Sequence, residues 1–182
     1  MAKCLMCNQK KGKRKCKIVE GNICSLCCGT HRNDAECIGC EYYKSAHELR
    51  KYNKIDKYTP ADMEQNFEFQ AISDVIEQSF CSVDADENFT MLDSIAKEVL
   101  EKLLDRYHFK DEEFAFSSQL VKNCFVYLEH NIKEKLADED PQTIIKVLGA
   151  IYFVLNRRTK GNREYIKVIQ KYVGMENGIR VL

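Results

Sequence analysis

The sequence predicts a small metal-stabilised N-terminal module followed by an all-α helical bundle. Three observations predict it: cysteines crowd the first forty residues, helical periodicity runs through the remainder, and charge changes sign between the two. Eight of the ten cysteines lie between Cys4 and Cys40. Residues 1–57 carry thirteen Lys/Arg against six Asp/Glu, whereas residues 58–182 carry fifteen against twenty-two. Overall neutrality thus hides a dipolar chain, with +7 in the first region and −7 in the second. The boundary is placed near Asp56 to Pro60, giving a Cys-rich module with a trailing helix over 1–57 and a helical domain over 58–182.

Composition excludes several classes. With 182 residues, 45% of them apolar and only two prolines, the chain is globular rather than disordered or collagen-like. Its longest apolar run, Val147 to Leu155, falls well short of the roughly 20 residues a membrane-spanning helix requires. The start lacks the apolar core of a secretory signal, which leads us to expect a cytoplasmic protein with no membrane role, whose thiols stay free or bind metal.

In the first region the metal candidates, in order, are Cys4, Cys7, Cys16, Cys24, Cys27, Cys28, His31, Cys37 and Cys40. Three Cys-x2-Cys pairs stand out at Cys4/Cys7, Cys24/Cys27 and Cys37/Cys40. A two-residue gap lets one tight turn aim two thiolates at one tetrahedral ion, and four such ligands close a structural zinc site. Nine candidates suit two Zn2+ ions with one to spare. Disulfides or packed free thiols would be the plain alternative, but so short a segment with few large apolar residues has too little core to fold unaided.

The order Cys4-x2-Cys7, Arg14-Lys15-Cys16, Ile23-Cys24-Ser25-Leu26, Cys28, His31 and Cys37 resembles the HIT-type and MYND-type zinc fingers, over residues 4–40 only. That resemblance implies a treble-clef or cross-brace head in which two zinc sites interleave. The stretch from Lys17 to Asn22 holds no cysteine where those fingers carry one, which leaves Cys40 for the place. Residues 23–32, followed by Cys37 and Cys40-Glu41-Tyr42-Tyr43, are also similar to a Cys-Cys-Gly motif of uncharacterised bacterial zinc-binding proteins, which implies metal and no activity. Pairing alternately, as the cross-brace implies, assigns Cys4, Cys7, Cys24 and Cys27 to one zinc and Cys16, His31, Cys37 and Cys40 to the other. Cys28 stays open, as a substitute for Cys27 in the first set or for His31 in the second. His31 is balanced between a ligand and an exposed histidine; His47, His108 and His130 read as surface residues.

Beyond the boundary, Thr59-Pro60 and Asp140-Pro141 each place a capping side chain before a proline, the arrangement of a helix start. Leu92, Ile95, Ala96, Val99, Leu100, Leu103, Leu104 and Tyr107 make an amphipathic stripe, with Thr90 and Asp93 as its expected capping box. Phe114, Val121, Cys124, Phe125, Leu128, Ile132 and Leu136 predict a further helix ending before Asp138. The segment after Pro141 is apolar almost all round, the mark of a bundle's centre. Gly161-Asn162 then interrupts the pattern before a short helix over Tyr165 to Tyr172. About five helices and no strand are expected. Cys81 and Cys124, beside Phe80 and Phe125, read as core thiols.

The expected function is non-catalytic. Hydrolytic zinc keeps an open position for water, whereas these thiolates suffice to close both sites, and neither the deaminase nor the metalloprotease signature is present. The primary expectation is an adapter or regulatory protein that docks a protein partner through its zinc head, with Tyr42-Tyr43 exposed beside Cys40. One alternative is nucleic-acid binding through a basic loop of Lys10, Lys11, Lys13, Arg14, Lys15 and Lys17. Against it stands a solvated loop, or one docked on the chain's own acidic stretch from Ala61 to Asp140, which carries seven basic and twenty acidic residues. A second alternative is a thiol redox or metal sensor.

Overall fold

The computed structural model describes residues 2–37, 39–43, 50–160 and 162–173. The expected trailing helix, with His47, and Gly161 lie outside the described residues. The chain divides into two units, Met1–Lys51 and Tyr52–Leu182.

The first unit has a tight turn over Cys4 to Cys7, then a two-stranded antiparallel ribbon, then two short helices. Strand β1 (Arg14–Cys16) pairs with β2 (Gly21–Ile23) in a register that sets Arg14 opposite Ile23 and Cys16 opposite Gly21. The expected basic loop is therefore corrected in part: Arg14 and Lys15 are strand residues. Helix α1 (Ser25–Thr30) starts directly after β2, and α2 (Asp34–Cys37) is a single turn. Cys4, Ile23 and Cys24 form the buried centre, with Cys7, Cys16, Val19, Cys27 and Cys28 packed around them. Among the described residues of this unit Ile23 is the one large aliphatic side chain that is fully buried, so sulfur, not hydrocarbon, makes most of the described core.

The second unit is helical, and its described residues contain no strand. After a short 3-10 turn at Tyr52–Lys54 come α3 (Pro60–Gln65), α4 (Phe67–Asp86), α5 (Asp93–Tyr107), α6 (Gln119–Lys135), α7 (Pro141–Arg158) and α8 (Glu164–Tyr172). Thr59 closes a capping box with Asp62, and Asp140 accepts from the Thr143 amide, so both prolines sit where the sequence placed helix starts. Helix α3 is brief because Asn66 takes extended backbone and caps the amides of Glu68 and Phe69, restarting the chain as α4. Helix α5 packs on α6, α7 and α8, and α4 on α6, α7 and α8. Helix α7 buries Ile144, Ile145, Val147, Leu148, Ile151 and Leu155. A Cβ at Gly149 would come within 3.1 Å of the Asp56 carbonyl oxygen, so glycine there lets the 55–57 segment lie against the helix. Tyr52 and Ile55 accordingly belong to the helical core.

Two local expectations are corrected. Asp93 forms no capping box with Thr90; its carboxylate accepts from the amides of Tyr165 and Ile166 at 3.0 and 3.1 Å and so caps the first turn of α8. The stripe beginning at Phe114 is not all helix, because Ser118 caps α6 and Phe114 precedes it. Phe114 and Phe116 instead fold back on Phe125, with ring centroids 5.1 and 5.4 Å away. Cys81 and Cys124 are core thiols, 2% and 0% exposed. His108 and His130 lie at the surface. Among the described residues no helix is long and apolar enough to cross a membrane.

Candidate metal centre

Cys4 and Cys7 bracket a turn closed by the Asn8 amide donating to the Cys4 carbonyl at 2.8 Å. The chain reverses here because Asn8 takes the left-handed conformation, φ 55°, which asparagine tolerates better than most residues. The Leu5 amide, donating to the Asn22 carbonyl at 3.0 Å, fastens this turn to β2. Cys24 follows β2 as the N-cap of α1 and Cys27 lies in that helix's first turn, where the Cys27 amide donates to the Cys24 sulfur at 3.4 Å. Turn, ribbon and helix start thus bring two Cys-x2-Cys pairs to one point.

The ligand atoms of Cys4, Cys7, Cys24 and Cys27 all lie within 4.8 Å of one another. The Cys7 and Cys24 sulfurs are 3.9 Å apart. A tetrahedral zinc with bonds of about 2.3 Å separates its sulfurs by about 3.8 Å, whereas a disulfide needs about 2.05 Å. All ten cysteines are free thiols. This set can hold one metal ion.

The surroundings fit a thiolate–metal group. Burial works to raise the Cys4 thiol, but the backbone amides of Cys7, Cys24 and Met6 outweigh it and hold the group down at about 6. Amides of Lys10 and Gln9 likewise lower the Cys7 thiol. In contrast, Cys27 is pushed up to about 12, first by its contact with Cys24 and then by burial and its other sulfur neighbours. Four sulfurs at this spacing repel one another as thiolates, and a divalent cation among them relieves that repulsion.

The second group of candidates is less tightly gathered. Cys16, Cys28, His31, Cys37 and Cys40 line one cavity of about 180 Å3, but among the described residues only the first set has all its ligand atoms within 4.8 Å. Cys27 and Cys28 are adjacent yet face apart: Cys27 joins the four-sulfur cluster, while the Cys28 sulfur accepts from Arg14 Nη1 at 3.3 Å. Burial raises the Cys28 thiol, and hydrogen bonds from Arg14 and Arg32 reverse that and leave it lowered. His31 is exposed at the end of α1, where its amide donates to the Cys27 carbonyl.

Of the basic residues, Lys10, Lys11, Lys13, Lys15 and Lys17 are exposed and Arg14 is half-buried. Lys17 donates to the Gly39 carbonyl at 3.1 Å, and the Arg14 guanidinium lies 5.2 Å from the Tyr42 ring centre. Tyr42 and Tyr43 are half-buried, which corrects their expected exposure. The physical reason for Tyr42 is the Arg14 stack, a contact that sequence spacing does not reveal. Sequence reasoning also missed Asn8, although an asparagine directly after a Cys-x2-Cys pair was a readable signal. Comparison with known protein families, curated proteins and solved structures finds no match to this chain.

Proposed function

We propose that the first unit is a zinc-built head of treble-clef type that docks a protein partner and performs no chemistry of its own. The closed set Cys4, Cys7, Cys24 and Cys27 carries this reading. Two ligands come from a turn and two from a helix start across a β-ribbon, and four thiolates leave no position for a substrate or water. Zinc suits the all-sulfur tetrahedral donor set and supplies folding energy, which a core with so little hydrocarbon requires.

The choice of a protein partner rests on the tips of the two ligand turns. Leu5, between Cys4 and Cys7, is 64% exposed, and Leu26, between Cys24 and Cys27, is 61% exposed. Met6 and Ile18 in the same unit are also exposed. Large aliphatic side chains held at a rigid metal-fixed point offer the apolar anchors that protein interfaces use. The test is capture of partners by the intact zinc-loaded chain against a Leu5→Ser/Leu26→Ser double variant. A specific partner retained by the first and lost by the second, at unchanged zinc content, supports the adapter. A partner retained equally by both removes this surface from the role.

One observation favours nucleic acid as a second reading: Lys10, Lys11, Lys13 and Lys15 project from the turn and the ribbon as exposed cations. A cytoplasmic site of action is part of the same proposal and rests on the thiol chemistry.

A further inference from the structure

We propose that Cys16, Cys28, Cys37 and Cys40 form a second, all-thiolate metal centre in the first unit, with Arg14 as its hydrogen-bond donor and His31 outside it. The inference rests on the zinc-head reading above and extends it to a ligand set that differs from the alternation of Cys-x2-Cys pairs with His31.

Three observations carry it. All four sulfur-bearing residues line the same cavity of about 180 Å3, and Cys16 and Cys40 also share the wall of a neighbouring one. Cys16 and Cys28 are half-buried and pack against the same Cys4–Ile23–Cys24 core, whereas His31 is exposed. Gly39 and Tyr42 are each fastened to the hairpin formed by the ribbon. Lys17 holds the Gly39 carbonyl, and Arg14 touches both the Cys28 sulfur and the Tyr42 ring. Gly39, at φ 72°, makes the sharp turn between the last two ligands.

Charge separates Cys28 from His31 as the fourth ligand. Zinc with four thiolates carries −2, and with three thiolates and a neutral imidazole −1. Arg14, Lys15, Lys17 and Arg32 line this cavity, a surplus of cations suited to the more negative centre. The four sulfurs do not all lie within 4.8 Å of one another, and metal binding itself would draw them to ligand spacing. Part of the basic character of the N-terminal region thereby acquires an internal role: Arg14 and Lys17 serve the second centre.

The experiment is zinc content per chain of the reduced full-length protein, its Cys28→Ser variant and its His31→Asn variant, together with the absorption spectrum of the cobalt-substituted wild type. The expected values are two, one and two, with a cobalt spectrum of tetrahedral all-sulfur sites. Loss of one zinc in His31→Asn with two kept in Cys28→Ser overturns the proposal. One zinc in the wild type also overturns it while leaving the first centre standing, and no zinc in the wild type overturns the zinc head itself. If Cys28→Ser does not fold, cobalt decides, since a site of three sulfurs and one nitrogen has a distinct ligand-field spectrum that would refute the all-sulfur set.

Discussion

The Tyr52 hydroxyl donates a 2.9 Å hydrogen bond to Oδ1 of Asp105, a carboxylate with no exposed surface. The bond ties the start of the second unit to the last turn of α5, and Tyr52 also lies edge-on to Phe109, ring centroids 6.0 Å apart. A fragment spanning 52–182 should melt cooperatively, at a temperature a chelator does not change. A fragment starting at 58 loses Tyr52 and Ile55, each worth about 1.5–3 kcal/mol of burial, and should melt well below it. Equal melting of the two would show that this segment does not belong to the bundle. In the full chain, Tyr52→Phe should cost about 1–3 kcal/mol, because a buried carboxylate oxygen loses a donor.

Cys4→Ser should abolish metal binding at the first centre and unfold the head, since structural zinc contributes roughly 10 kcal/mol or more to folding in small fingers. Elemental analysis together with amide dispersion in a heteronuclear NMR spectrum reads both effects. Cys81→Ser lies in the other core and should leave metal content unchanged. A Cys4→Ser protein with full metal and a dispersed head spectrum would contradict the four-sulfur assignment.

Asp93→Ala should destabilise the helical unit by about 1–3 kcal/mol through the two α8 amides it leaves without an acceptor. Thr90→Ala should cost far less, because the Thr90 hydroxyl only donates to the Glu87 carbonyl at a helix end. Denaturant melts of the two variants distinguish this from the local capping box, in which both substitutions would cost alike.

That contrast shows where the sequence was legible. Periodicity placed α5 and α7, and the two proline-flanked caps placed the starts of α3 and α7, because these signals act over a few neighbouring residues. The capping residue Asp93 was visible, but its target was not, since the amides it caps lie more than seventy positions later. Phe114 fits the α6 stripe by spacing alone, and only the ring contacts with Phe116 and Phe125 show that it belongs to a loop folded over the helix. In the metal region, spacing found every cysteine of the closed set. It assigned Cys27 to that set but left Cys28 open as its substitute, because their difference is one of direction, set by the rotation of α1.

The helical unit should lose stability in alkali. Burial, with Glu77 and Asp84 nearby, pushes the Cys81 thiol up to about 12; burial alone does the same for Cys124, and burial with Glu129 for the Tyr107 phenol. In the unfolded chain thiols ionise near 9 and phenols near 10, so above those values the unfolded state binds fewer protons than the folded one. The stabilisation from these groups is therefore complete below about pH 9 and declines as pH rises toward 12. Melting the 52–182 fragment between pH 8 and 11 should show this fall, and Cys124→Ala should flatten it. A melting temperature constant over that range would contradict the burial of these groups.

The exposed lysines decide between the two partner classes, and the variant must spare the residues with structural duties. Arg14 holds Cys28 and Tyr42, and Lys17 holds Gly39, so replacing either would disturb the head as well as its charge. Lys10, Lys11, Lys13 and Lys15 are exposed and can be changed together to Ala. If they contact phosphates, the intact chain should bind RNA or DNA with an affinity that falls with salt by up to about 0.9 log units per tenfold salt for each phosphate neutralised on duplex DNA. The four-lysine variant should then lose both the affinity and most of the slope. We expect the other result, weak binding throughout and little difference between the variants. The acidic stretch from Ala61 to Asp140, with its excess of thirteen negative charges, opposes a polyanion, while Leu5 and Leu26 present an apolar surface with no phosphate chemistry. Fluorescence anisotropy across a salt series reads the outcome. Submicromolar binding at physiological salt, lost in the four-lysine variant while its zinc content is unchanged, would replace the adapter with a nucleic-acid-binding head.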